Sequence, residues 1–79
     1  MIQNIRNICK EYENRYPVKI TTIHDEPTYT MKIQIKTFYK GEEVEKTVIM
    51  GLTINLENAE NLLVYHINEF LTETMPRGD

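Results

Sequence analysis

The stretch TYTMKIQIK, residues 28–36, sets Tyr29, Met31, Ile33 and Ile35 against Thr28, Thr30, Lys32, Gln34 and Lys36 in strict alternation. Successive side chains of a strand point to opposite faces, so this segment predicts a strand with one buried and one wet face. A sheet that is dry on one side needs an apolar cover, and the rest of the chain has to supply it.

The flanking segments fit that demand. YKGEE places a turn at Gly41, and VEKTVIM continues as a third strand with Val44, Val48 and Met50 inward and Glu45 and Thr47 outward, making a hairpin. Upstream, VKITTI is rich in β-branched residues and predicts a short first strand from Val18, which HDEP ends. Before it, Ile2, Ile5, Ile8, Cys9, Tyr12 and Tyr16 recur at helical spacing with Arg6, Lys10 and Glu13 between them, predicting an amphipathic helix over 2–15 that Pro17 stops.

The last segment, GLTINLENAENLLVYHINEFL, predicts a second helix capped by Asn55, whose side-chain oxygen suits an amide of the first turn. Leu56, Ala59, Leu63, Ile67 and Phe70 form its apolar stripe, widened by Leu62 and Leu71, and Pro76 ends it. The order is therefore α-β-β-β-α. This is an α+β fold, a three-stranded antiparallel sheet covered on one face by two helices, in a single domain over 1–75 with a tail at 76–79.

A chain of 79 residues buries only about 60% of the surface it exposes when unfolded, so its stability is expected to be modest. The single Cys9 excludes an internal disulfide, no Cys/His set offers four zinc ligands, and a reducing, cytoplasmic setting is the expectation. MIQNIRNICKEYENRY lacks an apolar signal core, and no run approaches the ~20 residues that span a bilayer, so no membrane association is expected.

Chemistry-bearing motifs are scarce. His24 and His66 have no nucleophile near them in sequence, Cys9 lies on an apolar helix stripe, and there is no glycine-rich phosphate loop. The expectation is a protein that is not an enzyme, with no cofactor, metal or small-molecule substrate. Arg77, Gly78 and Asp79 spell an adhesion tripeptide, a three-residue match that carries no weight alone.

The formal charge is −3. It is concentrated at the C-terminal helix, where Glu57, Glu60, Glu69 and Glu73 meet no Lys or Arg between Asn55 and Glu73. Acidic residues in a first turn complement the helix dipole, and they also neutralise what is otherwise a ready anion site.

In element order and length the chain resembles the double-stranded RNA-binding domain. IRNICKEY looks like that family's first helix, YPVKITTI like the entry to its first strand, PTYTMKIQI like its aromatic-led second strand, and the 51–71 segment like its third-strand end and second helix. The resemblance implies three contacts to A-form RNA: first-helix polar residues, the loop between the first two strands, and lysines opening the second helix. Here Asn7 and Lys10 stand at the first position and His24 at the second, beside Asp25 and Glu26. At the third, the lysines are replaced by Leu56, Glu57 and Glu60.

Three functional expectations follow. The leading one is a domain that keeps this fold, has lost most of its RNA surface, and acts through protein contacts as an adaptor or homodimer in an RNA-processing or silencing context. Glu57, Glu60, Glu45, Val48 and Ile49 are its candidate interaction residues, the last three on the third strand, a sheet edge whose Glu43, Glu45 and Lys46 also suit protection against pairing. The second is weak duplex RNA binding through Asn7, Lys10, His24 and Lys40, falling steeply with salt. The third is a small acidic inhibitor that occupies a nucleic-acid site on another protein with Asp25, Glu26, Glu57 and Glu60.

Overall fold

The computed structural model describes residues 2–53 and 55–74. Its elements are α1 (Ile2–Arg15), β1 (Lys19–Asp25), β2 (Thr30–Tyr39), β3 (Glu42–Gly51) and α2 (Leu56–Thr74). The sheet is antiparallel in the order β1-β2-β3, so β2 is central and both β1 and β3 are edges. The predicted α-β-β-β-α architecture is the observed one. Pro76 and the 76–79 tail lie outside the described residues.

One face of the sheet carries Ile20, Met31, Ile33, Ile35, Val48 and Met50, all buried. Ile5 and Cys9 of α1 and Ala59, Leu63, Ile67, Phe70 and Leu71 of α2 close over them. Full burial of one large aliphatic side chain stabilises by about 1.5–3 kcal/mol. Ile5, Met31, Ile33, Ile35, Met50, Leu63 and Ile67 are fully buried, and they hold the layers together. α1 lies over β1 and beside α2, while α2 crosses β2 and β3. Between the helices the Tyr12 hydroxyl donates to Asn68 Oδ1 at 3.0 Å.

Asn55 caps α2 as its residue type predicts, with its Oδ1 accepting the Asn58 amide at 2.8 Å. The β2–β3 connection is two residues, Lys40 at φ 54° and Gly41 at φ 80°, between paired Tyr39 and Glu42. Positive φ at both positions is the type I′ geometry that matches the right-handed twist of flanking strands.

The structure corrects several local expectations. HDEP does not end β1 at Ile23, because His24 and Asp25 pair with Met31 and Thr30 inside the ladder. Tyr29 does not belong to the buried face of β2. It sits in the β1–β2 turn at φ 51°, 67% exposed. Leu56 and Leu62 fall at the rim of the α2 stripe and stay more than a third exposed, whereas Leu71 is buried as predicted.

Candidate interaction surface

Strand register settles which backbone groups each edge presents. Tyr39 and Glu42 close a two-residue hairpin, so they exchange both backbone hydrogen bonds, and such pairs recur at every second position along β3. The even-numbered residues of β3 therefore face β2. Glu43, Glu45, Thr47, Ile49 and Gly51 direct their N–H and C=O groups away from the sheet. The same alternation through β2 turns Ile20, Thr22 and His24 of β1 outward on the opposite edge.

The two edges are treated differently. On β1, Glu13 of α1 accepts the Ile20 amide on Oε2 at 3.0 Å, and Arg6 Nε reaches Thr22 Oγ1 at 3.4 Å. Arg6, Lys10 and Glu13 line a small cleft of about 140 Å³ over this edge. The first helix thus occupies the β1 edge at Ile20 and Thr22. On β3, no hydrogen bond from a loop, cap or side chain reaches the five outward backbone positions among the described residues.

Lys46, expected to guard the β3 edge, points inward instead. It stands opposite Ile35, and its ammonium pairs with Glu69 on α2. Tyr65 completes this group: hydrogen bonding to Glu69 and its negative charge hold the Tyr65 hydroxyl above its ordinary pKa. Glu69 is held below the ordinary carboxylate value, first by the Lys46 hydrogen bond and then by Tyr65. The alternation of β3 puts Lys46 on the side of Val44, Val48 and Met50, and the carboxylate that meets it there lies 23 residues on, in α2, where only the packing of α2 across β3 brings it near.

No described element packs on the sheet face away from the helices. Its rows run Ile23–Lys32–Ile49, Thr21–Gln34–Thr47 and Lys19–Lys36–Glu45, with Phe38 beside Glu43 near the hairpin tip. Ile23, Ile49 and Phe38 are 48%, 68% and 73% exposed. Lys36 is 3.6 Å from Glu45, so one cation of the basic strip Lys32, Lys36 and Lys40 already has a carboxylate beside it. Val48, proposed from the sequence as an interaction residue, is corrected: its side chain is in the core, and Ile49 and Glu45 are the ones that reach solvent.

The residues matched to an RNA surface are only partly brought together. Asn7 and Lys10 are exposed on α1, and Asn7 Oδ1 accepts from Gln3 Nε2 at 2.9 Å. His24 is half-buried on β1 near the β1–β2 turn, not in a loop. Lys40 sits at the opposite end of the sheet, stacked 5.2 Å above the Tyr39 ring, the length of β2 away from that turn. The β1–β2 turn does meet the approach to α2, where the Leu52 amide donates to the Tyr29 carbonyl at 2.8 Å. The β1–β2 turn region and α2, residues 24–31 and 55–74, contain no Lys or Arg, with Lys32 next along β2 opposite Ile23; Asp25, Glu26 and Glu57 are exposed and Glu60 is half-buried.

Cys9 is 3% exposed, and burial, then the neighbouring Glu13 charge, push its thiol up to about 11. That is the opposite of an activated nucleophile. No described helix is long and apolar enough to cross a membrane. Compared with protein families, with curated proteins and with solved structures, the chain matches none.

Proposed function

We propose that this domain is a non-enzymatic protein-interaction module, similar in arrangement to a double-stranded RNA-binding domain but neutralised on the corresponding RNA face, and that it acts through its open β3 edge. An RNA-processing or silencing context is what the resemblance suggests. The observation that carries the reading is the β1–β2 turn and the helix it meets: residues 24–31 and 55–74 hold no Lys or Arg, and Asp25, Glu26 and Glu57 are exposed there. Duplex affinity depends on cations that displace counterions from phosphates, and losing about three such contacts removes much of it.

Fluorescence anisotropy with a labelled RNA duplex of about 16 base pairs, the span such domains cover, tests the reading at low and physiological salt. The expected result is no saturable binding at physiological salt. Saturation there overturns the proposal. A second reading, weak duplex binding, is favoured by exposed Asn7 and Lys10 on α1. It predicts binding confined to low salt that strengthens in a Glu57→Lys, Glu60→Lys variant.

A further inference from the structure

We propose that the partner at the β3 edge is a second copy of this chain, paired antiparallel through β3 about a two-fold axis at Thr47, giving one continuous six-stranded sheet. This rests on the module reading above and names the occupant of its surface. On β1 the outward Ile20 amide is already bonded to Glu13 of α1 and Arg6 stands at Thr22, so a strand added there has to displace α1 side chains, whereas β3 pairs without displacing any described contact. An assembly that grows on one side stops at two copies instead of running on into a fibre.

Self-pairing requires that β3 complement itself, and the register shows that it does. Antiparallel strands bond through residues whose N–H and C=O face the partner, here Glu43, Glu45, Thr47, Ile49 and Gly51. Thr47 is the midpoint of that set. Centring the pair on it sets Thr47 against Thr47, Glu45 against Ile49 and Glu43 against Gly51, using all five residues of each copy in about ten backbone hydrogen bonds. On the helix-covered side, Lys46 falls against Val48 and Val44 against Met50. No like charges are opposed.

Neighbouring registers are worse. Centring on Lys46 sets two ammonium groups side by side, and centring on Glu45 does the same with two carboxylates, each a destabilising cross-strand pair. Centring on Val48 or Ile49 leaves Glu43 beyond the end of the ladder. Nothing about the strand resists pairing by shape either: β3 is ten residues with no proline and with uninterrupted one-to-one pairing to β2. The flank of α2 nearest this edge, fixed there by the Lys46–Glu69 pair, also carries exposed Leu62 and Tyr65. In the paired assembly both α2 helices lie on one side of the sheet, with these residues facing the axis.

Sedimentation of the full chain across the micromolar range provides the test. Dimer mass is expected, reverting to monomer in Thr47→Pro, which removes an outward amide not used by β2, and in Thr47→Lys, which sets two cations at the axis. Both variants should keep the parent circular dichroism, Thr47→Lys because its side chain lies on the wet face. Register is read by oxidation: opposed residues of a bonded pair lie about 5.5 Å apart at Cα, within disulfide reach. Thr47→Cys is expected to form a covalent dimer. Ile49→Cys, whose two copies stand about 14 Å apart in this register, is not.

A monomer throughout, a folded Thr47→Lys variant that still dimerises, or Ile49→Cys cross-linking as fast as Thr47→Cys overturns the pairing. A monomer that also fails to bind duplex RNA removes the self-association alone. Saturable RNA binding at physiological salt removes the module reading itself.

Discussion

The backbone amide of Ile20 on β1 donates to the Glu13 carboxylate of α1 at 3.0 Å, so a side chain of the covering helix takes the hydrogen bond that a fourth strand would take. An amide on a sheet edge is otherwise left to water or to another chain. Glu13→Ala is expected to destabilise the fold by about 1–2 kcal/mol, the cost of leaving a partly buried donor without its partner. Chemical denaturation gives that figure, and amide hydrogen exchange localises it: exchange at Ile20 should accelerate more than at Ile33, which lies in the central strand. Equal acceleration at both sites would mean that Glu13 stabilises the fold globally and does not shield an edge.

The same carboxylate bears on Cys9. Burial is the larger cause of a thiol pushed up to about 11, with the Glu13 charge next. At neutral pH the native thiol is therefore almost wholly protonated and out of reach, and labelling with a thiol reagent should follow global unfolding. Addition of denaturant is expected to raise the rate in step with the unfolded fraction. Rapid labelling of the fully native protein would contradict the packing of α1 on the sheet. Because the raised value favours the neutral thiol in the folded state, its stabilising contribution is complete below the unfolded thiol pKa and is lost as pH climbs through about 11.

Much of this architecture is legible in the sequence because period and burial agree. Met31, Ile33 and Ile35 alternate and are all fully buried, and Ala59, Leu63 and Ile67 recur every four residues and are likewise buried. The pattern fails where local signals are two-valued. Tyr29 continues the apolar alternation, yet the chain needs a left-handed residue to turn there, and tertiary geometry overrides the period. His24 and Asp25 look like turn residues, but pairing with Met31 and Thr30 carries the ladder through them. The contrast between a shielded β1 and an open β3 was not readable at all, since Glu13 is seven residues from Ile20 and only the packing of α1 joins them.

Strain at the first turn yields a stabilising substitution. Tyr29 adopts φ 51°, a left-handed conformation that costs an L-residue with a Cβ about 1–2 kcal/mol, and its side chain is mostly solvent-exposed. Glycine adopts that conformation freely but loses more entropy on folding, so Tyr29→Gly is expected to gain a net of about 0.5 kcal/mol. Thermal unfolding should rise by a few degrees. The Leu52 amide bond to the residue-29 carbonyl uses only backbone and should survive. A fall in the midpoint would show that the exposed tyrosine ring makes a packing contribution larger than the backbone strain.

The last prediction concerns pH and the group Lys46, Glu69 and Tyr65. Glu69 is held below its ordinary value, chiefly by Lys46, so its contribution is present above the unfolded carboxylate pKa and is lost as pH falls through the lower folded value. Tyr65 is held above its ordinary value, chiefly by Glu69, so its contribution is present below the unfolded phenol pKa and fades as pH rises through the folded one. These two responses lie on opposite sides of neutrality, one on the acid side and one on the alkaline side. Lys46→Met keeps an unbranched chain at this position and removes the ammonium. Glu69 should then titrate closer to an ordinary carboxylate, and Tyr65, relieved of the one charge that lowers it, should titrate higher still. Carboxyl and ring chemical shifts followed by NMR report both. If Glu69 titrates unchanged in Lys46→Met, the ion pair between β3 and α2 is not formed in solution, and the inward turn of Lys46 that leaves the edge open loses its cause.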